Sequence, residues 1–488
     1  MAESAQARHD AEAPGGDAAL TRSDAVASRH RILVAARALT GDRRVTMTEL
    51  AAAAKVGRST LYRHFPTREA LEHALDDYEP PTAGPGGPQA RNMDVSTLPF
   101  RAPGHLGRTA PLALEVTRIL DEVPPHLVAD QLVAEARRVA GVPIALYVVE
   151  IDGSHLLRLA GSEEFPERLG APPALGPEIV PEGLPGFYES LRDHLPGCVA
   201  EPLWLRGRVT GLLLCVGTPL ASLADVAKQG AAALELAKDY TDSIEAAKRR
   251  KPTTPAAEVQ QHLLPPRIAR IAGAQLAGVL LPSYEVGGDW FDFVENRDGA
   301  WLAIADALGT GPTAAGLGAA ALGALRAARR SGKDLESALI AIDETVRRLD
   351  HPDFSISALL ARWRAATGTL TWINCSHTNA YLFGSDGALN ELEAPEHPPL
   401  GTGAPPEGYK LTHRQLRSGE RLILVTDGVI KRPTENGATF GVDGLKRSLK
   451  RADSPTAAST AMAIQQAITD AWRDPLEDDA TIVVMAVE

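Results

Sequence analysis

Two breaks, one laden with proline and glycine and one with proline, constrain what this chain can fold into. "EPPTAGPGGPQARN" (79–92) and "KRRKPTTP" (248–255) carry neither a helix nor a central strand. Proline lacks the backbone donor and clashes with the preceding turn, and glycine adds entropy to the unfolded chain. The 488 residues, already too many for one core, therefore divide into separate folding units. Residues 1–28 are poor in large apolar side chains and are expected to be disordered. Residues 29–80 form a first unit, 81–111 a linker, 112–248 a second unit and 256–488 a third.

Composition excludes several classes. A net charge of −12 argues against wholesale coating of nucleic acid but permits one local basic module. Cys198, Cys215 and Cys375 are too far apart for a zinc site or a disulfide framework and suit a reducing compartment. Cys215 alternates within an apolar run and reads as a buried structural thiol. No apolar run approaches the ~18–20 residues that span a bilayer, and the N-terminus has no apolar signal core. The expected location is cytoplasmic, with no membrane partner.

The first unit is basic. Between Arg29 and Arg68, Arg31, Arg37, Arg43, Arg44, Lys55, Arg58 and Arg63 stand against Asp42 and Glu49 alone. "RVTMTELAAAAKVGRSTLYRHFPTREALEHAL" (44–75) reads as helix, turn at Gly57 and second helix, with Leu61 and Phe65 turned to the core. Thr48, Arg58, Ser59, Thr60, Tyr62, Arg63 and His64 are the candidate DNA-contacting residues, since phosphate contacts require clustered positive charge. Thr48, Leu50, Ala51, Val56, Gly57, Leu61, Tyr62, Phe65, Glu69 and Leu71 make this stretch resemble the TetR-type DNA-binding domain. The resemblance does not bring the helical dimerising half that usually follows that domain, so either dimerisation comes from elsewhere in the chain or the module has lost tight DNA binding.

In the second unit "IALYVVEID" (144–152) and "VTGLLLCVG" (209–217) read as strands, and 222–248 as one long helix with Leu223, Val226, Ala233, Leu234 and Ala237 on its apolar face. The hairpin at 201–217 and the helix after it resemble the close of a GAF domain. That resemblance implies an α/β sensor with an unidentified small ligand, and a terminal helix that transmits signals and supports a homodimer.

The third unit repeats one device. "EVGGDWFDF" (285–293) places two glycines before Asp289, where a bulge or a close backbone approach is expected. "WLAIADALGTG" ends an apolar strand at Asp306, "RLILVTDG" ends another at Asp427, and "LEDDATIVV" puts Asp478 and Asp479 ahead of the last. Any single Asp-Gly here is an ordinary turn. Together, buried carboxylates repel and take up protons unless a cation gathers them. Oxygen-only donors favour Mg²⁺ or Mn²⁺ over zinc.

The order "VGGDWFD … IADALGTG … TDG … DDAT", with "QQHLLPP" (260–266) ahead of it, resembles the PPM family of metal-dependent serine/threonine phosphatases in its SpoIIE-like branch. That resemblance implies an α+β fold of two packed β-sheets flanked by helices. Asp289, Asp306, Asp427 and Asp478 would be the catalytic carboxylates, and with the Ala307 carbonyl they would hold two Mn²⁺ or Mg²⁺ ions. The substrate would be a phosphorylated regulatory protein of the anti-sigma-factor-antagonist type. Thr310 stands where the branch has histidine, and Asn374 and His377 match its "NAGHPP" stretch without the prolines. Asp292 and Asp479 would act behind the ligands. The whole chain thus reads as an all-α helix-turn-helix domain, an α/β GAF-like domain and an α+β phosphatase. The alternative is a DNA-binding transcription regulator on a catalytically degenerate scaffold.

Overall fold

The computed structural model describes residues 112–488 apart from 250, 251, 284, 285, 352 and 436. It also describes positions 32, 33, 36, 50, 51, 53–56, 60, 61, 64, 65, 71 and 74. The expected disorder of 1–28 and the linker 81–111 lie outside these residues. The chain separates into two compact units, 1–94 and 95–488.

In the first unit Ile32, Leu33, Ala36, Leu50, Ala51, Ala54, Leu61, Phe65 and Leu71 form one buried cluster. Leu61 and Phe65 both lie in this core, as their spacing suggests. The left-handed turn residue described here is Lys55 (φ 52°); Gly57 is outside the described residues.

The second unit opens with α1 (Leu112–Glu122) and α2 (Val128–Ala140). Strands β1 (Ile144–Val149), β2 (His155–Gly161), β3 (Arg168–Gly170), β4 (Ala174–Leu175) and β5 (Glu178–Ile179) follow. Then come α3 (Leu184–His194), β6 (Cys198–Leu205), β7 (Arg208–Val216), α4 (Ala224–Ala237) and α5 (Ser243–Ala247). The strands form an antiparallel sheet, β3-β2-β1-β7-β5-β4, with β6 also on β7. Helices α1, α2 and α4 bury Leu120, Leu132, Val226 and Leu234 on one face of it. The long helix expected over 222–248 is two helices. It breaks at 238–242, where an Asp-Tyr-Thr-Asp run offers no apolar face and Thr241 Oγ1 instead accepts the Ser243 N–H (3.2 Å).

The rest is a β-sandwich. Its lead-in helix α6 (Pro255–Leu263) starts at Thr254, whose Oγ1 accepts the Ala257 N–H. One sheet orders as β10 (Trp290–Asn296), β11 (Gly299–Ala307), β12 (Ile356–Arg364), β13 (Thr369–Cys375) and β16 (Glu396–His397), with β17 (Thr412–Gln415) on β13. The other orders as β15 (Leu389–Leu392), β14 (Ala380–Phe383), β18 (Arg421–Val425), β19 (Ala480–Val487), β9 (Ala274–Leu281) and β8 (Ile268–Ile271). All pairings are antiparallel except the short β13–β16 pair. Phe291, Leu302, Leu359, Leu424 and Val483 meet between the sheets. Helices α7 (Gly311–Arg330) and α8 (Leu335–Arg347) cover one outer face. Helices α10 (Gly441–Leu449) and α11 (Ala457–Ala471) cover the other, and α9 (Asp427–Ile430) is a single turn after β18.

The middle sheet docks on the sandwich through its β4–β5 hairpin rather than through a continuous terminal helix. Leu175 and Val180 join the core that contains Ile268, Val279 and Ile464. Glu178 accepts the Ile268 N–H (2.9 Å) and pairs with Arg208, which also reaches Glu235 (3.0 Å).

Candidate active site

Register brings the acids together. Asp289 directly precedes β10, and Trp290 pairs with Ala305, one residue before Asp306. Asp427 and Asp478 flank the paired ends of β18 and β19, where Val425 faces Ile482. Four carboxylates distant in sequence therefore lie at one end of the sandwich.

The two glycines work by close approach. Neither has a left-handed backbone. A Cβ on Gly287 would lie 2.8 Å from the Asp479 carboxylate, and one on Gly288 would lie 2.1 Å from the Ala307 carbonyl oxygen. The backbone here must pass close to both neighbours, and 287–288 sit ahead of β10 rather than in a bulge within it.

Asp289 is 3% exposed, and its Oδ2 accepts from the hydroxyls of Thr426 (2.8 Å) and Thr481 (2.6 Å). Burial first, and then Asp306 and Asp479, push its carboxyl well above the usual range. Asp306 is pushed up to about 7 by burial and by Asp427, Asp478 and Asp479. Asp478 is raised by burial and by Asp427 and Asp479, against its bond from the Asp479 N–H. Asp427, more exposed, meets Lys431 Nζ at 2.6 Å.

Asp479 and Asp292 are fully engaged by protein. Asp479 accepts from the N–H groups of Ser283 (2.8 Å) and Gly287 (3.1 Å), the Ser283 hydroxyl and Gln260 Nε2 (2.6 Å). Asp292 is clamped by Arg326 (2.9 Å) and Arg329 (2.8 Å) on α7. Asp479 thus braces the backbone beside Asp289 through direct bonds, whereas Asp292 faces α7. Gln260, which the sequence reading missed, also donates to the Asp289 carbonyl (3.2 Å) and ties α6 to the site; its place in "QQHLLPP" was the available signal.

Among the described residues, no group of three or more His, Cys, Asp or Glu side chains is gathered tightly enough to hold a metal ion. The donors nonetheless fit a hard divalent cation. They are oxygen atoms, burial and neighbouring carboxylates raise the proton affinity of Asp289, Asp306 and Asp478, and the cation now facing the cluster is a lysine. The three thiols are buried, and burial pushes Cys198 up to about 11 and Cys375 up to about 12. They stay protonated and unreactive.

Residues 296–488 match the model of the family described as stage II sporulation protein E (SpoIIE). The match lies wholly within the C-terminal sandwich. Residues 32–75 match the bacterial regulatory proteins of the tetR family. A curated relative is the phosphoserine phosphatase RsbU of Bacillus subtilis, 24% identical over 231 residues, which are 47% of this chain and 68% of RsbU. Among solved structures, the SiaA-PP2C domain of Pseudomonas aeruginosa is 22% identical with a TM-score of 0.39, over 44% of this chain and 86% of that one. The PP2C phosphatase domain and regulatory fragment of SpoIIE from Bacillus subtilis is 13% identical with a TM-score of 0.39, over 64% and 77%.

In the tetR-family segment Thr60 and His64 lie on helical backbone and are half-buried. Thr48, Arg58, Ser59, Tyr62 and Arg63 are outside the described residues. No helix among the described residues is long and apolar enough to cross a membrane.

Proposed function

We propose that this chain is a metal-dependent serine/threonine protein phosphatase acting on a phosphorylated regulatory protein of the anti-sigma-factor-antagonist type. The observation that supports the reading is that Asp289, Asp306, Asp427 and Asp478 stand at the ends of paired strands, where burial and the neighbouring carboxylates push Asp306 up to about 7. The similarity to a phosphoserine phosphatase supports it.

Asp289, Asp306, Asp427, Asp478 and the Ala307 carbonyl would hold two Mn²⁺ or Mg²⁺ ions. Such a pair, when bound, supplies Lewis acidity and offsets charge on the transferring phosphoryl group. The remaining work belongs to the chain. Thr426 and Thr481 fix Asp289 through one oxygen and leave the other for a cation. Asp479 holds Ser283 and Gly287 in place. Lys431 keeps Asp427 paired until a stronger cation displaces it.

The middle domain is read as a GAF-like sensor. A groove of about 370 Å³ between α1, α2 and α4 is the candidate place for its small ligand. The tetR-like segment is read as DNA-binding, which makes a homodimer the expected state because operators are read as paired half-sites. A regulator on a degenerate phosphatase scaffold is the second reading; the loose spacing of the acids and Thr310 favour it. The deciding experiment is hydrolysis of p-nitrophenyl phosphate with and without Mn²⁺, beside Asp427→Asn. Hydrolysis that needs Mn²⁺ and is lost in the variant supports the phosphatase. No hydrolysis, or hydrolysis indifferent to the substitution, supports the scaffold.

A further inference from the structure

His377 sits in the turn 376–379, which crosses from one sheet of the sandwich to the other. At its start Cys375 pairs with Ala358, beside the Ser357–Asp306 and Ile356–Ala307 pairs. Just beyond its end Tyr381 pairs with Ile423, so this part of the turn runs beside the Asp427 end of β18. Strand register thus sets His377 between the strand ends that carry Asp306 and Asp427.

The turn is held firmly. Asn374, 3% exposed, accepts the His377 N–H (2.8 Å) and donates to the His377 carbonyl (2.9 Å). The ring's Nδ1 lies 3.0 Å from the Thr378 carbonyl oxygen. A carbonyl only accepts, so Nδ1 carries the proton and Nε2 is a bare lone pair. His377 is 8% exposed, and its Nε2 has no hydrogen-bond partner. A buried acceptor left unpaired is costly, so such atoms normally face a bound water or ligand. Burial also keeps this ring neutral near pH 7, which preserves the lone pair.

We propose that His377 orients the attacking water: its Nε2 accepts an O–H from a water held at the Asp427 side of the carboxylate cluster and turns that water's free lone pair toward phosphorus. This rests on the phosphatase reading above. His377 takes no proton in this role, and its imidazole stays neutral throughout.

Three substitutions in the full chain test it. His377→Gln retains an acceptor near the Nε2 position, His377→Asn retains only a group near Nδ1, and His377→Ala retains neither. Loss of one hydrogen bond to the nucleophile predicts kcat lowered roughly tenfold or more in the Asn and Ala variants. KM should be unchanged, and the Gln variant should recover most of kcat. Full activity in His377→Asn, or Gln as impaired as Ala, overturns the proposal. A second readout does not depend on turnover. With histidine-selective ¹⁵N labelling, the Nε2 resonance should be that of an unprotonated nitrogen and should move when Mg²⁺ is added, but not in Asp427→Asn. A protonated Nε2, or one indifferent to Mg²⁺, overturns it. If the native chain releases no phosphate with Mn²⁺, the phosphatase reading fails instead, and the resonance decides the acceptor role alone.

Discussion

Replacing Gly288 with alanine asks how closely the ligand-bearing backbones must approach. The added methyl would lie 2.1 Å from the Ala307 oxygen and 2.7 Å from Ala307 Cβ. Non-bonded heavy atoms sit best about 3.5 Å apart, so the two backbones must part by more than about 1 Å. Overpacking of this kind costs about 1–3 kcal/mol. The larger effect falls on function, because Asp289 follows Gly288 and the Ala307 carbonyl is the group displaced. A misplacement of ~1 Å at reacting groups costs on the order of 100-fold in rate. Gly323→Ala is the control, since nothing lies within 4 Å of its would-be Cβ on α7. It should stabilise by about 0.5–1 kcal/mol and leave activity unchanged. Urea unfolding followed by tryptophan fluorescence, with Mn²⁺-dependent kcat, reads both variants. A Gly288→Ala protein as stable and active as the native chain refutes the reasoning.

Three further outcomes are expected. Asp306, raised to about 7, stabilises the metal-free protein below its ordinary value of 3.8, and that stabilisation is lost as pH rises through about 7. In chelator, the stability difference between the native chain and Asp306→Asn should move against the native chain by on the order of 3 kcal/mol from pH 5 to 8; a difference constant with pH contradicts this. Asp292→Ala strands Arg326 and Arg329 beside a buried site and should destabilise by about 3 kcal/mol in urea unfolding, whereas the affinity for Mn²⁺ should hold because Asp292 faces α7. Glu178→Leu removes the acceptor of the Ile268 N–H, so exchange of that amide should quicken roughly tenfold; unchanged exchange would show that the hairpin is not anchored there.

The placement of the candidate acids at strand ends was legible in the sequence. Asp306, Asp427 and Asp478 stand beside apolar runs long enough to be strands, Asp289 opens a shorter one, and paired strands bring such ends to one side. The glycines before Asp289 signalled close approach, and only the neighbours, Ala307 and Asp479, needed three-dimensional register. The break at 238–242 was missed because the apolar spacing of 223–237 continues through Ile244, buried on α5, while the polar residues between them prefer local bonds to helix. The clamp on Asp292 was illegible since its arginines lie 34 and 37 residues away. For Gln260 the place in "QQHLLPP" pointed to the site, but its partner Asp479 lies 219 residues away. The docking of Glu178 on Ile268 joins two domains whose sequences carry no mark of each other.

Calorimetric titration of the metal-free chain with Mn²⁺ bears most directly on the central claim. If the four strand-end aspartates form a cation site, the native chain binds two ions and Asp427→Asn binds fewer or binds them far more weakly. Absence of binding heat in the native chain, or identical isotherms for both proteins, contradicts the account.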